Sequence, residues 1–336
     1  MNMLSKRATW LVSALAFTSG AAWAEFPDRP ITLVVPFAAG GPSDKIARDL
    51  AEALRKPLAQ TVLVDNTAGA GGTIGSARVA RANPDGYTLL VHHIGMATAP
   101  SLYKKLPFKT PDDFEFLGLV NEAPSTLIGR PTLAASSFAE LRTWISENDG
   151  KINLANAGVG SASHLCALML QSAMKSTMTA VPYKGTAPAM NDLMGGQVDL
   201  MCEQATHAVP QIEGKKVKVY AVTSARRLAL PALAQVPTLS ESGLNGFDVQ
   251  VWHGVYAPRG TPPAVLARLN AALQTALREP DLIKRQEALG LRIVTDERLT
   301  PAGHRQFVEQ EIERWSKVIQ ELSLIHISEP TRPERI

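Results

Sequence analysis

Ile31-Thr-Leu-Val-Val35-Pro-Phe37-Ala38-Ala39-Gly40-Gly41-Pro-Ser43-Asp44-Lys-Ile-Ala47-Arg48 is the stretch on which the fold turns. Five β-prone residues, four of them apolar, run without regular alternation, as in a strand buried on both faces. They end in a turn with paired glycines, and Ser43 or Asp44 then offers a cap for a helix from about Ser43 to Lys56. Glycine permits a sharp turn and close backbone approach. The first N–H groups of the helix lack internal partners and carry partial positive charge, so such a turn suits an anion. An ordinary tight strand-to-helix connection is the plainer alternative for this segment taken alone.

The alternation continues outward. Val62-Leu-Val64, a glycine-rich loop, a helix near Ile74 to Arg81 and the strand Thr88-Leu-Leu-Val91 come next. A second series has strands at Ser125–Ile128, Ile152–Ala155, Val198–Cys202, Val217–Val222 and Val249–Tyr256. Helices are expected at Ser137–Glu147, after the Gly158–Ser163 turn through Met174, at Pro263–Arg278 and at Pro301–Gln320. Strands alternating with helices predict an α/β fold whose sheets are mainly parallel and covered by helices.

Two terminal segments stand apart. Met1 to Ala24 has a basic start (Lys6, Arg7), an apolar run from Trp10 to Phe17 and the small-residue ending Ala22-Trp-Ala24. This is the layout of a secretory signal cleaved after Ala24, and the run is shorter than a bilayer span. From Leu322 the chain reads Leu-Ser-Leu-Ile-His-Ile-Ser-Glu-Pro-Thr-Arg332. Residues 322–336 resemble a translated sequencing adapter and are expected to be non-native.

The net charge is only +3, from 34 basic and 31 acidic residues, without the basic stripe that nucleic acid demands. Cys166 and Cys202 are the two cysteines. In an oxidising compartment they are open to one disulfide, with two separate buried thiols as the alternative. Neither has a partner at metal-ligand spacing, so no metal and no cofactor are expected.

Three further segments have the chemistry of a binding loop. Thr67-Ala-Gly69-Ala-Gly71-Gly72-Thr73-Ile-Gly75 is only superficially a dinucleotide loop, because Ile74 occupies the position of the third glycine. A loop donating backbone N–H groups to a carboxylate fits better. Asn156-Ala-Gly158-Val-Gly160-Ser161-Ala-Ser163-His164 offers a second anion-accepting helix start. As an enzyme it would use Ser163 as nucleophile and His164 as base, but G-x-S-x-G is absent and adjacent triad members are unusual. In Val181-Pro-Tyr183-Lys184-Gly185-Thr186, Tyr183 supplies an aromatic wall and a hydroxyl, and Lys184 an attracting charge or simply a solvated one.

Together these residues resemble a known family. Pro36-Phe37, Gly40-Gly41 and Asp44-x-x-Ala47-Arg48, with Asn83-Pro-Asp-Gly-Tyr87-Thr-Leu-Leu90, are similar to the Bug family, the extracytoplasmic receptors of tripartite tricarboxylate transporters. Gly158-x-Gly160-Ser161-x-Ser163-His164, Val181-Pro-Tyr183-Lys184-Gly185, Gly195-Gly-Gln-Val-Asp199, Ala221-Val-Thr-Ser224 and Leu239-x-Glu241-x-Gly243-Leu244 agree, so the likeness spans Phe26 to about Gln320.

The resemblance implies a two-lobed, type II periplasmic-binding-protein-like fold that closes on a small carboxylate. It further implies a periplasmic monomer that delivers the ligand to a membrane permease and has no enzymatic activity. One lobe would comprise residues 26–122 plus 226–321 and the other 123–225, with hinges near Ala123–Ser125 and Thr223–Arg226. The ligand would meet Phe37, Ala38, Ala39, Gly40, Gly41, Ser43, Thr67, Gly72 and Thr73 on one side. Gly160, Ser161, Ser163, Tyr183, Lys184 and Gly185 would face it from the other.

Two places depart from the family pattern: His92-His93 stands where small residues are usual, and Cys202-Glu203 where Phe-Asp is common. His92 or His93 would add a donor for a second carboxylate, whereas Glu203 would favour an amino or hydroxyl group on the ligand. The rival readings are a periplasmic serine hydrolase built on Ser163 and His164, and a carboxylate sensor that presents its closed form to a membrane kinase.

Overall fold

A computed structural model describes residues 26–321. The expected signal segment, residues 1–24, and the tail, residues 322–336, lie outside the described residues.

The strands are β1 (Ile31–Val35), β2 (Val62–Asn66), β3 (Thr88–His93), β4 (Phe114–Gly129), β5 (Asn153–Asn156), β6 (Thr179–Pro182), β7 (Leu200–Gln204), β8 (Lys218–Val222), β9 (Gln250–Pro258) and β10 (Arg292–Ile293). The helices are α1 (Pro42–Leu58), α2 (Thr73–Ala80), α3 (Gly95–Leu102), α4 (Phe138–Glu147), α5 (Ala162–Met174), α6 (Thr186–Met194), α7 (Ala205–Glu213), α8 (Pro263–Ala276), α9 (Pro280–Glu287) and α10 (Pro301–Glu321).

The apolar spacing explains the long helices. In α1 Ile46, Leu50, Leu54 and Leu58 are buried on one face, with Arg55 and Lys56 in the last turn where they complement the helix dipole. In α10 His304, Val308, Glu311, Trp315 and Ile319 form the buried stripe. The one carboxylate in that stripe, Glu311, accepts the indole N–H groups of Trp252 at 3.0 Å and Trp315 at 2.9 Å, as a buried acid must find partners.

The strands follow the order β2-β1-β3-β9-β4-β7-β5-β6, with β8 and β10 also pairing β4. β4 is the organising element. Residues Phe114 to Pro124 pair with β9, while Ser125 to Gly129 pair with β7, and the same end also pairs with β8. One 16-residue strand thus belongs to two regions of sheet.

The expectation of mainly parallel sheets is corrected here. Parallel ladders join β1 to β2 and β3, and β5 to β6 and β7. Every ladder that involves β4 or β9 is antiparallel. Helical crossovers enforce parallel pairing only between the strands they connect. β4 and β9 instead carry the chain between the two regions and lie in opposite directions.

Near the junction the backbone is closely tied. The Thr223 amide donates to the Ser125 carbonyl at 2.8 Å, and the Val249 amide to the Thr223 carbonyl at 3.0 Å. Cys166 of α5 and Cys202 of β7 form a disulfide, which resolves the alternative left open by their spacing.

Candidate functional site

A narrow pocket lies where the two sheet regions face each other. From the β1 side it is lined by Phe37, Gly41, Pro42, Ser43 and His93. From the β5–β7 side come Ser161, Ala162, Ser163, Thr186, Glu203 and Gln204, with Ser125 at the junction. The Gly41 and Ser161 turns therefore open into one space.

Four helices begin at this pocket. Gly41 caps α1, so Ser43 falls inside the first turn, and the carboxylate of Asp44 reaches back to accept the Gly40 amide at 2.9 Å. The first helical bond runs from the Lys45 amide to the Gly41 carbonyl, leaving the amides of Ser43 and Asp44 outside the helical ladder. Ser161 caps α5 by accepting the His164 amide, which leaves the amides of Ala162 and Ser163 similarly outside it. Gly185 and Gln204 cap α6 and α7. Convergent helix starts give the pocket positive potential without a cation, and no Lys or Arg is among its lining residues.

The β3–β9 wall supplies a histidine cluster. His93 pairs with His253 in the ladder, and its ring stacks on Phe37 with centroids 4.6 Å apart. Its Nδ1 accepts the Gly95 amide at 2.9 Å, so the neutral ring carries its proton on Nε2. His253 lies between Asn121 Oδ1, 3.0 Å from Nδ1, and Ser43 Oγ, 3.4 Å from Nε2. The carbonyl oxygen of Asn121 requires the proton on Nδ1. Nε2 is then an acceptor, and the Ser43 hydroxyl donates to it. Asn121 in turn donates to Gln286 at 2.7 Å. Burial lowers the pKa of His93 to about 3 and pushes that of His253 well below its usual value, the latter aided by the neighbouring His93.

The opposite wall carries an acid. Glu203 is 1% exposed; its Oε1 accepts the Gln204 amide at 3.1 Å and lies 3.6 Å from Nδ1 of His207. Burial alone would lower the His207 pKa, but the Glu203 carboxylate outweighs this and raises it. Glu203 Oε2, Gln204 Oε1 and Thr186 Oγ1 are buried without a hydrogen-bond partner.

The turns clasp each other beside the pocket. The Ala38 amide donates to the Lys184 carbonyl at 3.0 Å. The Tyr103 hydroxyl lies 2.9 Å from the Ala70 carbonyl and 2.5 Å from that of Val159, while Thr98 Oγ1 donates to the Gly160 carbonyl at 3.1 Å. A Cβ built on Gly71 would overlap the Val159 carbonyl, and one on Gly185 would lie 2.8 Å from the Ala38 amide nitrogen. Glycine at these positions permits the contact.

The structure sorts the residues expected from sequence. Phe37, Gly41, Ser43, Ser161, Ser163 and Glu203 line the pocket. Ala38, Ala39, Gly40, Gly160 and Gly185 belong to the adjoining turns; Ala39 and Gly40 are exposed. Thr67 is drawn aside by Arg78, which donates to its hydroxyl. Gly72 packs against Phe37 and His92, its amide already satisfied by the Gly69 carbonyl, and the Thr73 hydroxyl donates to the Ala70 carbonyl at 3.0 Å.

His92 stays out of the lining set because its Nδ1 accepts the His93 amide, with its ring against Gly72; His93 takes the pocket position. Tyr183 donates instead to Asp192 at 2.6 Å, and Lys184 is exposed. Both border an outer groove with Ala70, Tyr103 and Val159. Thr186 and Gln204 escaped the sequence reading, although a Thr directly after Gly185 at a helix start was the signal for the first.

Ser163 and His164 do not pair. Ser163 Oγ accepts the Ala157 amide at 2.8 Å and contacts Ser161 Oγ, whereas His164 Nδ1 accepts the Gly160 amide. Burial lowers the His164 pKa to about 4, and the ring serves the turn. Among the described residues, no group of three or more His, Cys, Asp or Glu side chains converges as a metal site.

Comparison with known proteins places this geometry. The model of the tripartite tricarboxylate transporter family receptor matches residues 46–324. The solved structure of the periplasmic binding protein BugD is 48% identical, with a TM-score of 0.86 over 89% of this chain and 99% of that one. Malate-bound MatC of Rhodopseudomonas palustris is 40% identical, with a TM-score of 0.84 over 88% and 100% of the two chains. An adipate-bound R. palustris protein is 30% identical, with a TM-score of 0.85 over 90% and 100%.

Proposed function

The chain belongs to the tripartite tricarboxylate transporter receptor family, and we propose that it captures a small carboxylate in the pocket between its two sheet regions and releases it to the membrane permease. Membership in the family places it in the periplasm. In this proposal residues 1–24 are the cleaved export signal.

The observation that carries the proposal is the convergence of four helix starts on a pocket without Lys or Arg. The amides of Ser43, Ala162 and Ser163 would bind carboxylate oxygens, supported by the Nε2–H of His93. Preformed backbone donors attract negative charge at little reorganisation cost. Malate in MatC and adipate in the R. palustris protein are ligands of the same chemical class.

We read the two sheet regions as two lobes that hinge where Ser125, Thr223 and Val249 lie side by side. Leu228, Leu230, Leu233 and Val236 cluster with Ala205, Val209 and Val222, which supports counting the segment after Arg226 with the second lobe, its last crossing at Val249. The Ala38–Lys184 and Tyr103–Val159 contacts would form on closure, so the ligand favours the closed state by touching both walls. The reading is of binding without turnover, supported by the separate engagement of Ser163 and His164. The protein is proposed to act as a monomer, with no cofactor, metal or nucleic acid.

A thermal-shift screen of mono-, di- and tricarboxylates tests this. A ligand at 100 times its Kd adds about 2.7 kcal/mol, or about 5 °C for a protein of this size. A panel in which no carboxylate moves the Tm contradicts the proposal.

A further inference from the structure

Among the described residues that line the pocket, Glu203 is the one with a formal charge, and it is an acid. Glu203 is walled in on β7: its Oε1 is engaged by the Gln204 amide and faces His207, but its Oε2 is buried with no partner. Gln204 Oε1 beside it is likewise unpartnered. Across the pocket Ser43 spends its proton on His253, because Asn121 fixes the tautomer of that ring, and so turns only lone pairs to the interior. The pocket therefore has two characters. Its helix starts donate hydrogen bonds, whereas Glu203, Gln204 and Ser43 offer acceptors.

A simple alkane dicarboxylate matches only the first character. It would leave Glu203 Oε2 desolvated and place a second anion near it, which is unfavourable in a site closed to water. We propose that Glu203 is a specificity-determining residue: the ligand is an acid that also bears a hydrogen-bond donor, a hydroxyl or an ammonium, and that donor is received by Glu203 Oε2. This deepens, and rests on, the carboxylate-binding function proposed above. A hydroxyl or an ammonium satisfies the same acceptor; a protonated His207, which shares the charge of Oε1, would lessen the need for a full positive charge but not the need for a donor.

Titration calorimetry on ligand-free protein, with acids matched in length, tests the assignment. The four-carbon set is succinate, malate and aspartate; the six-carbon set is adipate, 2-hydroxyadipate and 2-aminoadipate. In at least one set, a donor-bearing acid is expected to bind at least tenfold more tightly than the unsubstituted one, and the better of the hydroxy and amino members identifies the donor. Glu203→Met should remove that advantage, bringing the affinities of the substituted and unsubstituted acids of the set to within about threefold of each other. Glu203→Gln, which keeps the shape, should reduce an ammonium preference at least tenfold. Equal affinity for substituted and unsubstituted acids in the wild-type protein overturns the inference but leaves carboxylate binding intact, as does a preference that survives both substitutions. If either variant misfolds, the wild-type ratio decides. Absence of binding by every acid overturns the carboxylate function and this inference together.

Discussion

The amide of Ala38 donates to the carbonyl of Lys184 at 3.0 Å, joining the turn after β1 to the turn before α6. The two residues are far apart in sequence and sit on opposite walls of the pocket. Neither side chain is needed for the contact, which explains how glycine-rich turns of ordinary composition can clasp. It also sets where substitution should block closure.

Gly71 is the sharpest such position. Its φ of +61° is accessible to alanine at modest cost, but the added methyl would meet the Val159 carbonyl. Gly71→Ala should therefore weaken ligand binding at least tenfold by depleting the closed form, while the thermal stability of the ligand-free protein falls by no more than a few degrees. Titration calorimetry and a melting curve check the two parts.

Tyr103 makes a lesser clasp through its hydroxyl to the Ala70 and Val159 carbonyls. Tyr103→Phe keeps the ring and loses about 1 kcal/mol, or about fivefold in affinity. An affinity unchanged in titration would mean that the hydroxyl contributes nothing to closure.

The Cys166–Cys202 disulfide ties the helix capped by Ser161 to the strand that holds Glu203, closing a loop with a sequence separation of 36. The double substitution of both cysteines by alanine should cost about 2–4 kcal/mol in urea unfolding. Reductant should lower the stability of the wild-type protein similarly and have no effect on the double variant.

Acid should destabilise the fold before most carboxylates titrate. His93, His164 and His304 have pKa values lowered by burial to about 3, 4 and 3. Their neutral forms are native, so the stability they preserve is complete above the unfolded pKa near 6.5 and is lost as pH falls towards the folded values. Each adds a slope of about 1.4 kcal/mol per pH unit within that window. His207 acts in the opposite sense: its pKa is raised, so its contribution is present below 6.5 and fades as pH rises through the folded value. Melting temperatures measured from pH 7 to pH 4 should fall, and His304→Gln should flatten the slope by about one proton.

Much of the framework was legible because helical spacing and uninterrupted β-prone runs are local signals. Ile46 to Leu58 and His304 to Ile319 could be read in this way. The length of β4 was not legible: Pro124 sits inside it and argues against a continuous strand. Pro124 is tolerated because it lies where the ladder with β9 ends and pairing with β7 begins. The antiparallel course of β9 was equally hidden, since it depends on a partner distant in sequence.

At the pocket, the glycine turns announced themselves, but the roles of individual side chains depended on tertiary partners. Nothing local says that Asp192 takes the Tyr183 hydroxyl, or that Arg78 takes that of Thr67. Of two successive strand histidines, alternation admits one to the pocket face, and the His93–His253 pairing selects it. The acid at 203 was conspicuous in sequence; its unpartnered oxygen was visible only in three dimensions.

The most direct measurement is a crystal structure of the protein bound to the carboxylate that raises its Tm most. The acid should lie between Ser43 and Ser163, one carboxylate within hydrogen-bond distance of the amides of Ala162 and Ser163 or of Ser43, and contact both walls. A ligand bound to one wall alone, or outside the Gly41–Ser161 space, would contradict capture between two closing halves.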